Sequence, residues 1–247
     1  MKAQEAGIDI AISTVDRPKG YIHKLMAQLP SDLPVRLIVG SPVYSYLTRY
    51  RRRTATEIVG VDLSEWNQLK NSSVLHRASW NYWRCFVYGA RSSNSKGLLI
   101  LEDDVLPAKG WKDKMLEAIA LIESVYGAEF SLSLYTAYSK LAKPKKPNIA
   151  YRPYPVLMFG GTQAMYYSEP IRAAFAEYLR REGVDKIRLP YDYLFREYLT
   201  QTGTPLFVTT PCLFQHIGAV TTGLSHIFHH APAFSKKHQG SEPRASR

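Results

Sequence analysis

GLLILEDDV, residues 97 to 105, is the stretch from which the fold is read. Four apolar residues, Leu98 to Leu101, run straight into three consecutive carboxylates, Glu102, Asp103 and Asp104. An apolar run of this length, bounded by a glycine and a proline, reads as a strand buried on both faces, the kind found in parallel sheets. Side chains alternate along a strand, so Glu102 and Asp104 point one way and Asp103 the other. Adjacent carboxylates repel each other unless a positive charge sits among them. Two of them converging at the end of a strand make a hard oxygen site suited to Mg²⁺ or Mn²⁺. A solvated acidic turn closed by Pro107 is the alternative.

Outward from that strand, short β-branched runs alternate with helical patterns. Strands are predicted at 8–14, 35–41, 56–62, 97–105, 130–136, 162–168 and 205–211. Helices are predicted at 18–29, 42–52, 72–90, 110–126, 169–182 and 192–202. Strand and helix alternate through the first half, which predicts an α/β fold with a largely parallel sheet and helices on its faces. In such sheets ligands bind outside the carboxyl ends of the strands, here the loops TVDR (14–17) and EDDV (102–105). The Pro-rich stretch 143–155 reads as a connection or flap. The tail from Ala231 to Arg247, rich in Ser, Lys, Arg, Pro and Gly, reads as disordered.

The chain has 247 residues, a hydrophobic content of 45% and a formal charge of +11. Part of the excess charge lies in RYRRR (49–53) and KPKK (143–146). A basic surface, an anionic substrate, an anionic membrane face and nucleic acid all fit such a balance. Nothing in the sequence resembles a helix-turn-helix, a zinc finger or an RNA-binding signature. Cys85 and Cys212 form no C-x-x-C pair, so neither a zinc site nor a disulfide framework is indicated, and a reducing compartment is the simpler reading. A strand follows the N-terminus closely and no apolar run approaches the roughly 20 residues of a membrane span, so a cytoplasmic location is expected.

Two further features carry polar groups on an apolar frame. In the helix spanning 71–91, Ser73, Arg77, Asn81 and Arg84 recur at four- and three-residue steps and form one polar stripe. If buried, its two guanidinium groups need a counterion, such as a diphosphate. If exposed, they are the wet face of an ordinary amphipathic helix. In PCLFQHIG (211–218), Gln215 and His216 end an apolar run. His216 is either a satisfied core histidine or a ligand to a metal or phosphate.

Taken in this order, AISTVDRP (11–18), HRASWNY (76–82), LLILEDDV (98–105) and PCLFQHIG followed by Ser225 resemble glycosyltransferases of the GT-A fold, and the N-acetylglucosaminyltransferase IV family in particular. The resemblance implies a Rossmann-like, mixed and mostly parallel sheet in a single domain over residues 1–230. Its nucleotide half would cover about 1–106 and its acceptor half about 107–230. It further implies a UDP-sugar donor, with GlcNAc favoured, a glycan or glycoconjugate acceptor, and a divalent ion. Thr14, Val15 and Arg17 would meet the base and ribose, and Arg77 and Asn81 would line the nucleotide pocket. Glu102 and Asp103 would hold the ribose and donor sugar, while Asp104 and His216 would bind the ion. The family's Golgi membrane anchor has no counterpart in this sequence.

The predicted reaction is sugar transfer with inversion, which needs a base for the acceptor hydroxyl. Asp192, in RLPYDYLF (188–195), is the candidate, with Asp185 and Glu169 behind it. A helix N-cap is the structural alternative for Asp192. Gly160 and Gly161 permit close backbone approach to the sugar. Tyr151, Tyr154 and Phe159 form either an acceptor platform or core. A retaining transferase, a DNA-modifying sugar transferase and a non-catalytic sugar-nucleotide-binding protein are the rival functions.

Overall fold

The computed structural model describes residues 7–16, 20–53, 55–91, 95–142, 150–182, 189–218, Ala231 and Phe234. Ten strands and seven α-helices are assigned among them. In chain order the strands are β1 (Ile8–Thr14), β2 (Val35–Val39), β3 (Thr56–Val59), β4 (Gly97–Glu102), β5 (Val105–Pro107), β6 (Ser131–Ser133), β7 (Tyr151–Pro153), β8 (Ala164–Ser168), β9 (Leu206–Thr209) and β10 (Phe214–His216). The helices are α1 (Ile22–Gln28), α2 (Leu63–Leu69), α3 (Val74–Tyr88), α4 (Trp111–Tyr126), α5 (Ser139–Ala142), α6 (Glu169–Arg181) and α7 (Tyr191–Thr202).

Eight strands form one sheet in the order β3-β2-β1-β4-β8-β6-β9-β7. The first four run parallel, as the alternating pattern predicts. Beyond β4 the sheet becomes mixed: β8 is antiparallel to both β4 and β6, β6 and β9 are parallel, and β7 closes the edge antiparallel to β9. This is the expected mixed, mostly parallel α/β sheet flanked by helices.

The strand period of two sorts the core into two layers. Ile10, Ile12, Leu99 and Leu101 face one side, where Ile22, Leu25 and Met26 of α1 and Met115 and Ile119 of α4 cover them. Ala11, Leu98, Ile100, Met165 and Tyr167 face the other, under α3, α6 and α7. On that second side Phe86, Tyr167, Phe175, Phe195 and Tyr198 form an edge-to-face aromatic cluster with centroids 4.7 to 5.3 Å apart in its closest pairs, each worth about 0.5–1.5 kcal/mol beyond its area. Gly89, at the end of α3, lets the helix close onto the sheet. A Cβ there would lie 2.8 Å from the Ala11 methyl and 2.2 Å from the Cys85 carbonyl oxygen.

Several sequence-based expectations are corrected. The stretch 42–52 holds no α-helix, only a 3₁₀ turn at Thr48–Arg52, because Pro42 and a run of polar and aromatic residues offer no helical apolar stripe. The helix expected at 18–29 starts only at Ile22. In the stretch expected as a flap, Tyr151–Pro153 is the edge strand β7, a position where a proline costs no ladder bond; residues 143–149 lie outside the described residues. The short helices α2 and α5 and the strands β5 and β10 were not anticipated as separate elements. The disordered tail expected from Ala231 onward is corrected at its first residue, since Ala231 is buried and its amide donates to Gln215 Oε1 at 3.0 Å; of the rest only Phe234 is among the described residues. Among the described residues, no helix is long and apolar enough to cross a membrane.

Candidate functional site at the carboxyl ends of the strands

β4 ends at Glu102, and Asp103 and Asp104 form the turn into β5. The alternation of β4 sends Glu102 to the same side as Leu98 and Ile100, toward α7. There its carboxylate accepts hydrogen bonds from Tyr191 Oη at 2.9 Å and Thr162 Oγ1 at 3.3 Å. Asp103 turns the other way and accepts one from Thr14 Oγ1 at 2.7 Å, with both residues buried. That bond ties the ends of β1 and β4, so TVDR and EDDV do share one edge of the sheet.

Asp104 meets a third segment. β10 pairs antiparallel with β5, placing His216 opposite Val105, and the Ile217 amide donates to the Asp104 carbonyl at 2.8 Å. This two-stranded ribbon sets His216 Nε2 3.1 Å from Asp104 Oδ2, although the residues are 112 apart in sequence. Gly218 seals the corner, since a Cβ there would lie 2.2 Å from Asp104 Oδ2 and 2.8 Å from His216 Nε2. Among the described residues the other oxygen, Asp104 Oδ1, is buried without a hydrogen-bond partner. An orphaned carboxylate oxygen beside an imidazole suits a divalent ion. Among the described residues no group of three or more His, Cys, Asp or Glu side chains could hold a metal. Asp104 and His216 could supply two ligands to such an ion.

Burial raises the Glu102 carboxyl to about 8, the neighbouring Asp104 charge adds to the rise, and the Tyr191 hydrogen bond opposes it. Asp192 raises it further, so its charge also reaches this cleft. Asp192 does not sit at the helix N-cap, which is Pro190. It lies in the first turn of α7 and accepts from the Gly161 amide at 3.1 Å and from the Tyr193 amide at 3.0 Å. Gly161 has φ +90°, a left-handed conformation that favours glycine, and that turn aims its N–H at Asp192. Gly160 is exposed beside it.

The polar stripe of α3 separates into distinct roles. Ser73 is the N-cap, accepting from the His76 amide at 3.1 Å. Asn81 lies under the ends of β1 and β2 and donates to Ser13 Oγ at 2.9 Å and to the Ile38 carbonyl at 3.2 Å. Arg84, only 2% exposed, needs no diphosphate. Its guanidinium donates to the Val39 carbonyl at 2.9 Å and to the Gly60 carbonyl, at the ends of β2 and β3, and lies over Trp80 with 4.9 Å to the ring centroid. Strand-terminal carbonyl dipoles replace the expected anion. Arg77 donates to the Lys70 and Ser72 carbonyls in the turn before α3, and no described contact joins it to the carboxylates.

Tyr154 and Phe159, weighed as an acceptor platform, are 3% exposed and pack against each other in the core. Tyr151 packs on Phe207 at a centroid distance of 5.4 Å. Glu169 is bound to Arg172 at 2.5 Å one turn along α6. Val15 is exposed beside Thr14. Arg17, Asp185 and Ser225 fall outside the described residues. Sequence reasoning passed over Tyr191 and Thr162. The available signal was the position of Tyr191 beside Asp192 at the start of an amphipathic helix.

No protein-family model matches the sequence, and no curated protein matches it. Solved structures do. TarS from S. aureus matches with a TM-score of 0.51 and 10% identity over 84% of this chain and 36% of its own. The inositol-1-phosphate CTP transferase from T. maritima matches with a TM-score of 0.44 and 12% identity, covering 87% and 91% of the two chains. The glycosyltransferase GlyE from Streptococcus pneumoniae TIGR4 matches with 0.42 and 9%, covering 77% and 43%. The likeness to TarS shows a shared fold, and this chain spans about a third of the TarS chain.

Proposed function

We propose that the chain is a metal-dependent glycosyltransferase that moves a sugar, GlcNAc in the first instance, from a UDP-sugar to a hydroxyl of a glycan or glycoconjugate, with inversion. The observation that carries this reading is the meeting of Asp104 and His216, beside a Glu102 held by Tyr191 and Thr162, at the carboxyl edge of a sheet whose next strand end bears Thr14. The choice of donor rests on the resemblance of the motif order to the N-acetylglucosaminyltransferase IV family.

Asp104 and His216 would hold Mn²⁺ or Mg²⁺. When bound, such an ion offsets charge on a diphosphate leaving group. Thr14, Val15, Asn81 and Asp103 surround the place for base and ribose. Glu102 faces the donor sugar, its orientation fixed by two hydroxyl donors. The bond from the anomeric carbon to the diphosphate oxygen breaks, and the electron pair leaves with the diphosphate. The acceptor oxygen bonds to the opposite face of that carbon and gives its proton to Asp192. The Gly161 and Tyr193 amides fix the aim of that carboxylate before substrate arrives, a form of preorganisation.

Asp192→Asn keeps the shape and the helix start. It should leave donor binding within a few-fold and lower nucleoside diphosphate release by about 10³-fold or more, in the range of a lost general base or beyond. Turnover at the wild-type rate would remove Asp192 from the reaction. An α-linked product from an α-linked donor, seen by NMR of the anomeric proton, would replace inversion with retention. No release from any nucleotide sugar, despite binding, would make the protein a binding module.

A further inference from the structure

The segment between β2 and β3 serves no part of the reaction above, and its chemistry is unusual for a loop. Leu47 is fully buried and anchors it. Arg53 anchors the other end, donating to the Met26, Leu29 and Pro30 carbonyls at the end of α1, at 2.6, 3.0 and 2.6 Å. Between these fixed points Arg49, Arg51 and Arg52 stand exposed on the 3₁₀ turn. Arg49 Nε donates to the Tyr46 carbonyl at 2.9 Å, and Arg51 reaches the Tyr44 hydroxyl at 3.2 Å. None of the three enters an ion pair among the described residues. Among the described residues the carboxylate bound to this segment is Asp16, which accepts from the Tyr46 amide and the Ser45 hydroxyl at its base. Beside the arginines Val43 is 65% and Tyr46 44% exposed.

Three guanidinium groups with no ion pair among the described residues, on a turn anchored at both ends, call for an anionic partner. Exposed apolar and aromatic side chains on the same segment call for one with an apolar boundary. A bilayer with anionic headgroups offers both, whereas a soluble polyanion gains nothing from Val43 or Tyr46. We propose that the face formed by Val43, Tyr46, Arg49, Arg51 and Arg52 docks the protein on an anionic lipid bilayer. Through Tyr46 and Asp16 the start of this segment lies beside the end of β1, while Arg53 fastens its other end to the close of α1.

The test is sedimentation of the full chain with vesicles of phosphatidylcholine alone and with about one-third phosphatidylglycerol. Binding should require the anionic lipid and fall steeply toward about 0.5 M NaCl. Arg49→Gln, Arg51→Gln and Arg52→Gln combined should weaken it about 100-fold, each charge contributing about fivefold. Val43→Ser with Tyr46→Ser should weaken vesicle binding about tenfold while leaving retention on heparin unchanged, the loss of buried apolar area being the cause. Melting temperatures within a few degrees of wild type verify that the variants are folded. Equal binding to both vesicle types, or a triple variant that binds as wild type does, would overturn the proposal. Unchanged vesicle binding by the Val43/Tyr46 variant would overturn it in favour of a soluble polyanion.

Discussion

Thr14 and Asp103, 89 residues apart, are joined by a buried hydrogen bond of 2.7 Å that fixes the ends of two parallel strands to each other. Thr14 and Val15 hang from one of those strand ends, Glu102 and Asp103 from the other, and Asn81 lies on the helix beneath them. Thr14→Val keeps the shape and removes the hydroxyl. The lost charge-assisted bond should cost about 1.5–3 kcal/mol, read as a lower urea midpoint with an unchanged slope.

Tyr191 offers a finer test. Its ring stacks on Tyr82 with centroids 4.2 Å apart, while its hydroxyl serves Glu102. Tyr191→Phe retains the stack and frees the carboxylate. If Glu102 orients the donor sugar, turnover should fall about 3- to 10-fold, the scale of one hydrogen bond between neutral groups, while affinity for UDP alone stays unchanged. Loss of UDP affinity with unaltered turnover would assign Tyr191 to the nucleotide instead.

The pair Asp104 and His216 predicts a metal response. Ligands that bind only the folded state raise the melting temperature by mass action. Mn²⁺ should raise it in the wild type, and Asp104→Asn and His216→Ala should each abolish most of that rise. A Mn²⁺ shift that persists in both variants would place the ion elsewhere.

Glu102 makes stability depend on pH. Its folded value near 8 lies above the ordinary 4.5, so between them the folded state holds a proton that the unfolded chain has released. Stability is therefore full below about 4.5 and declines as pH rises toward 8, by at most about 1.4 kcal/mol per pH unit. With metal chelated, Glu102→Gln should remove that slope, measured as the wild-type-minus-variant difference in urea unfolding. A difference flat from pH 5 to 8 would refute the assignment.

The two cysteines give a check on packing. Burial pushes Cys85 up to about 12 and Cys212 to about 11. Both are free and buried, so neither should react with a thiol reagent in the native protein near pH 8, and both should react in guanidinium.

The strands most legible in the sequence were those whose residues satisfy their own local pattern. IDIAIST became β1 with the predicted bounds, and the apolar run feeding Glu102 became the central β4. The hydrogen bonds send Glu102 and Asp103 to different partners, as alternation predicts, while Asp104 lies in the turn beyond β4 and meets His216 instead. Local pattern failed where a partner distant in sequence supplies the energy. The ribbon of β5 with β10 is three residues on each side, too short to announce itself, yet it alone brings His216 to Asp104. Arg84 shows the same limit: a stripe on a helix reveals a buried cation, but only the fold reveals that the carbonyls of Val39 and Gly60 accept from its two terminal nitrogens. Periodicity fixes which face a side chain takes, because that depends on backbone geometry within one element. Which groups meet across that face depends on strand order and on the turns of α7 and β10, and those were settled only when the layers packed.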